Sequence, residues 1–179
     1  MGSDAVVPQY FANLTGEPFL YVELKQVAKL TLAGLSSVEI SAKIIDENLF
    51  QYATNKSLDK LLSATLKRVA VLDEILLNLL VQGSLHTSKL VALIAIMKTN
   101  RLFLEFIEEV YLEKVRLGEQ ELEPKDFCIF FNNKAEQSLK VAGWQESTLK
   151  KLSQVYSIIL FEAGLINSTR KKRLKRRSG

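Results

Sequence analysis

Cysteine and histidine are almost absent from this 179-residue chain, each occurring once, as Cys128 and His86. One thiol excludes an internal disulfide framework, and one thiol with one imidazole cannot assemble the ligand cluster of a structural zinc or iron site. No metal and no cofactor are therefore expected. Proline and glycine are sparse, three and eight residues, so few positions interrupt regular structure. Long apolar runs are missing as well. The longest, Leu90–Met97, has eight residues, against the roughly 20 that a spanning helix needs. The opening MGSDAVVPQY lacks the basic and apolar segments of a secretion signal. These absences predict a cytoplasmic protein that keeps its lone thiol reduced and does not enter a membrane. Neither a glycine-rich phosphate loop nor a nucleophile elbow occurs, so no catalytic residue is assigned and the chain reads as a non-enzyme.

What is present is helical period. Apolar residues recur at three and four between the few glycines, which predicts an all-α, multi-helix bundle. Pro18 opens a helix that ends near Gly34 and places Phe19, Val22, Leu24 and Val27 on its inner side. Ser36 with Glu39 has the capping-box spacing and starts a short helix burying Val38, Ile40, Ile44 and Ile45. Ser57 caps the longest helix, predicted to run from Leu58 to Gly83. A helix from Thr87 to Lys98, apolar on most sides, is expected at the centre. Further helices are predicted over Arg101 to Leu117, from Pro124 through Phe127, Phe130 and Phe131, and over Glu146 to Ala163. The organisation expected from these elements is an N-terminal helix-turn-helix-like unit over 10–83 and a central helical core over 84–142. A recognition-helix unit over 143–166 and a basic tail or partial wing over 167–179 complete it.

Few side chains suit catalysis. His86 follows a helix-ending glycine, where a cap or surface role is the ordinary one, and Cys128 sits among aromatics as a small buried hydrophobe. Glu105, Glu108, Glu109 and Glu113 share a helical strip that reads first as a solvated face, with a divalent ion or a basic partner as the alternative. Two helix pairs have helix-turn-helix spacing. The first, Val27 to Glu47, is a weak signal because most such turns are structural. The second carries more. In GWQESTLKKLSQVYSIILFEAGLI, the residues Ser147, Thr148, Lys150 and Lys151 fall away from the apolar stripe and form a cationic face suited to phosphates and base edges.

Charge supports that reading. The chain has 24 Lys and Arg against 20 Asp and Glu, but seven of the cations are Arg170, Lys171, Lys172, Arg173, Lys175, Arg176 and Arg177. The remaining body is mildly acidic, so positive charge is concentrated at one end, where a wing would follow a recognition helix. Such a run contacts nucleic acid without reading sequence, and it also suits an acidic membrane surface or an acidic protein. Lys56, Lys60, Lys67 and Arg68 form a second candidate DNA surface. Lys98 and Arg101 are read first as holding inter-helix geometry, with contact to an anion as the alternative, and Asn48, Gln51 and Tyr52 as fixing a turn before Ser57.

Five blocks in order carry a family resemblance: LTGEPFL near the start, Asn48 to Tyr52, Ala95 to Phe103, Lys134 to Ser138, and the final GW…STLKKL…ILFEAGL. Together they resemble the BrxA family of bacterial BREX phage-exclusion systems. The resemblance implies a NusB-like helical accessory protein with helix-turn-helix and winged-helix-like elements, able to bind double-stranded DNA and lacking a catalytic centre. It also implies other BREX components as partners. An assembly module of the same defence complex, or an RNA-binding NusB-like protein, are the alternatives.

Overall fold

The computed structural model describes residues 9–167 except Ala53 and Gln120, and among these it contains ten α-helices and no strand. A 3-10 turn, Asn13–Thr15, precedes α1 (Tyr21–Leu32) and α2 (Ser37–Asp46). The longer α3 (Asn55–Ala70), α4 (Glu74–Gln82) and α5 (Leu85–Thr99) follow. α6 (Arg101–Phe106) continues through a π-helical turn, Ile107–Tyr111, into α7 (Leu112–Arg116), so the helix expected over this stretch is one rod with a widened turn. α8 (Pro124–Gln137), α9 (Leu139–Ala142) and α10 (Glu146–Glu162) complete the chain.

α5 is the central helix, as its lack of a polar side predicts. It packs on α1, α3, α4 and α6 and buries Val91, Ala92, Leu93, Ala95 and Ile96. Its apolar contacts extend into one cluster that also contains Leu24, Ile44, Phe106 and Ile159. An aromatic group closes the far end. Phe103 and Phe106 meet Tyr156 at ring-centroid distances of 4.9 and 5.1 Å, and Phe106 stacks on Phe127 at 5.0 Å. These contacts dock α10 onto α6 and α8. Burial pushes the Tyr156 hydroxyl pKa up, and that hydroxyl has no hydrogen-bond partner among the described residues.

Four expectations require correction. First, α1 starts at Tyr21 rather than Pro18, because Leu20 adopts a left-handed conformation, φ 50°, at the N-cap. Phe19 and Leu20 are buried from the preceding turn, while Val22 faces solvent. Second, the predicted long helix is two. Asp73 accepts a hydrogen bond from the Leu76 amide at 2.8 Å and caps α4, and the Lys98 ammonium donates to the Val71 carbonyl at 3.1 Å. Lys98 thus holds the inter-helix geometry assigned to it, whereas Arg101 donates to Glu105 at 2.8 Å within its own helix. Third, the Ser36–Glu39 capping box is present, but α2 buries only Ile40 and Ile44, leaving Val38 and Ile45 exposed. Fourth, Cys128 is exposed: α8 turns Phe127, Phe130 and Phe131 inward, and Cys128 lies off that face.

The turn before α3 is built as expected from Asn48, φ 44°, and Gln51, φ 55°, with the Tyr52 hydroxyl donating to Glu23 at 3.2 Å. Among the described residues no helix is long and apolar enough to cross a membrane.

Candidate nucleic-acid interface

α10 has two faces fixed by its sequence. Leu152, Val155, Tyr156, Ile159 and Leu160 are buried against the core. Ser147, Lys150, Lys151 and Gln154, spaced at three and four, form one exposed strip on the opposite side, with Thr148 half-buried beside it. Among the described residues neither Lys150 nor Lys151 has an ion-pair partner. Two cations on a helix anchored by its other face are therefore pre-positioned and available to an anion. Ser147 and Thr148 lie in the first turn, where the helix dipole also favours negative charge.

The seven tail cations, Arg170 to Arg177, lie outside the described residues. The chain leaves the described structure at Asn167, beyond the C-terminal end of α10. At 1.5 Å per residue, Lys150 and Glu162 are about 18 Å apart along the helix. The described chain therefore ends beyond the end of α10 opposite Lys150 and Lys151. Ten residues of extended chain can span up to about 36 Å, enough to return along the helix.

The second candidate surface is only partly assembled. Lys56, Lys60 and Lys67 are exposed on α3 and, four and seven residues apart, share a face. Arg68 does not belong to it. It is 2% exposed and donates to the carbonyls of Glu17, Pro18 and Phe19 at 2.6, 2.7 and 3.1 Å. Burial pushes its guanidinium pKa down to about 10, against the opposing influence of Glu17 and Glu23. Its donors are occupied by the turn that leads into α1, so it is withdrawn as a DNA contact. In the other helix-turn-helix candidate, α1 with α2, the second helix is poorly charged for phosphates: Glu39 and Asp46 are exposed on α2 and Glu47 at its C-cap, and Lys43 is paired with Glu47 at 2.7 Å.

Sequence reasoning missed one central charge. Lys134, 3% exposed, places its ammonium 2.6 Å from both Glu105 and Glu109. Glu105 also accepts from Arg101 and, at 2.7 Å, from the Tyr10 hydroxyl. Burial works to raise the Glu105 pKa, but hydrogen bonds from Lys134, Arg101 and Tyr10 outweigh it and hold the carboxyl below its usual range. Glu105 is thus drawn into an internal clamp and Glu109 pairs with the same ammonium from the surface, whereas Glu108 and Glu113 point to solvent without contacting Lys134. The only hint in the sequence was a lysine one turn beyond Phe130 and Phe131 on the apolar side of α8.

Comparison with known proteins fits this architecture. A sequence profile of the BrxA family matches residues 8–177. A "BREX protein BrxA" of Bacillus cereus (strain H3081.97) is 42% identical over 164 residues, covering 92% of this chain and 82% of the relative. A protein of the same name from Escherichia coli O9:H4 (strain HS) is 23% identical over 167 residues, covering 93% and 78%. The crystal structure of an uncharacterized protein from Magnetospirillum magneticum superposes with a TM-score of 0.77 at 23% identity, covering 90% of this chain and 82% of that one, and supports the helical fold.

Proposed function

The chain belongs to the BrxA family, and from that premise we propose that it is a non-enzymatic, cytoplasmic accessory protein of a BREX phage-defence system that binds duplex DNA mainly through phosphates. The observation that carries this reading is the exposed Ser147, Lys150, Lys151 and Gln154 strip on α10, whose two cations have no carboxylate partner among the described residues. In this reading α10 acts as the recognition helix of a helix-turn-helix-like unit within a NusB-like bundle. The basic run from Arg170 to Arg177 adds a sequence-independent share of the affinity. Lys56, Lys60 and Lys67 supply a secondary phosphate contact.

Mobility-shift titrations of duplex DNA and of structured RNA test it. Full-length protein is expected to prefer the duplex, and Lys150→Glu/Lys151→Glu to weaken binding at least tenfold. Preference for RNA would replace the duplex reading, since a helix face reads a DNA major groove but not the deep, narrow one of RNA.

A second reading, an assembly module for other BREX components, draws on the exposed Leu112, Val115 and Leu117 of the α7 region beside the acidic strip. It predicts association with those components that survives nuclease and charge reversal on α10.

A further inference from the structure

We propose that the acidic groove between α7, α8 and the exit of α10 is an intramolecular docking site for the chain's own basic segment, Arg170–Arg177.

Two depressions, of about 340 and 300 Å³, lie on this side of the molecule and share Lys114 and Glu119 as wall residues, so they form one groove. Its carboxylates are Glu109, which Lys134 already holds, and Glu113, Glu119, Glu121 and Asp126, against the two wall ammonium groups of Lys114 and Lys125. Those ammoniums are already taken: Lys114 pairs with Glu119 and Asp126, and Lys125 with Glu123. Glu121 is exposed with no hydrogen-bond or ion-pair partner among the described residues, and Glu113 has only a loose contact to Arg116, at 3.5 Å. The groove is thus short of positive charge. Between its carboxylates it offers apolar wall from Val115, Leu117, Leu122 and Ile129.

The occupant is indicated by where the chain goes. Leu165, Ile166 and Asn167 are themselves wall residues of the groove, so the segment that follows starts at its mouth. Arg170 is three residues on, within about 11 Å of extended chain, and Arg177 within about 36 Å. The segment supplies seven cations and one apolar side chain, Leu174, complementary to a groove that is acidic with apolar patches. A tethered ligand binds at an effective concentration in the millimolar range, so even weak surface ion pairs suffice to hold it. Docking of this kind masks the basic segment until a stronger polyanion competes for it.

The native single cysteine provides the probe. Cys128 is exposed and adjacent to the wall residue Ile129, so a nitroxide attached there reports on anything seated in the groove. The full chain is labelled with no nucleic acid present, so the outcome is independent of the DNA reading. At about 0.05 M salt the amide signals of residues 170–177 are expected to lose more than half of their intensity, and to regain it near 0.5 M, where the Debye length is a few ångströms. The exposed-site variant Glu113→Lys/Glu121→Lys is expected to abolish the loss, and Glu113→Gln/Glu121→Gln to reduce it, with unchanged core signals as the check on folding. Three results overturn the proposal: no broadening at low salt, broadening insensitive to both variants, or broadening only between differently labelled copies, which places the segment on a second molecule.

Discussion

Arg68 and Lys134 show how one residue type serves opposite ends. Both are long cations on amphipathic helices, yet both are nearly inaccessible. Arg68 satisfies three carbonyls of a turn that has no helix of its own. Its planar fork reaches all three, which a lysine ammonium cannot reproduce. Arg68→Ala leaves those carbonyls short of donors and is expected to destabilise the fold by about 2–4 kcal/mol, measured by urea unfolding, with Arg68→Lys recovering only part. At Glu105 the pH dependence follows from sign. Its folded-state pKa lies below the ordinary 4.5, so its contribution is complete above about that value and is lost as pH falls through the folded one. Lys134 is shifted the other way: burial works to lower its pKa, but hydrogen bonds to Glu105 and Glu109 prevail and raise it above 10.5. Its contribution is complete below that value and is lost only as pH rises through the folded one. Stability should therefore be level through neutral pH and fall in acid. Glu105→Gln should lower the plateau and flatten the acid limb, as read from thermal unfolding between about pH 3 and 7.

At the scale of elements, periodicity located helices well and their joints poorly. α2 and α8 carry their own start signals, Ser36 with Glu39 and Pro124 with Asp126, and the structure uses both. The corner at Val71–Asp73 escaped because Leu72 stays buried through it, so the apolar rhythm continues across a change of direction. Asp73 was the local clue: an N-cap acceptor inside an apparently unbroken helix. Asp73→Ala is expected to cost about 1 kcal/mol in denaturant unfolding, whereas an uninterrupted helix would tolerate or favour alanine there. The exposed strip of α10 was legible because Leu152, Tyr156 and Ile159 leave Ser147, Lys150 and Lys151 no other side. Lys134 was not, since a lysine on a partly apolar face looks the same whether it snorkels to solvent or meets two carboxylates contributed by another helix.

For the whole molecule, charge distribution matters more than net charge. A body with excess carboxylates carries an intensely basic terminus. α10 carries Lys150 and Lys151 near its start, and the residues that follow its end, Leu165 to Asn167, are wall residues of the acidic groove. The sequence could place cations at one end of the chain; only the fold shows that Asn167, the last described residue before them, shares a depression with Glu119 and Glu121. On the proposed function, duplex binding would draw on two sources: the pair of ammoniums on α10 and the tethered basic run, which would reach phosphates by displacement from the groove. The most direct test is the affinity of a labelled duplex across a salt series for the full chain and for Lys150→Glu/Lys151→Glu. If about five tail cations and both α10 lysines reach phosphates, the logarithmic slope is roughly −6, falling by about 1.8 in magnitude when the two lysines are reversed. Identical slopes and affinities for the two proteins, or binding indifferent to salt, would contradict it.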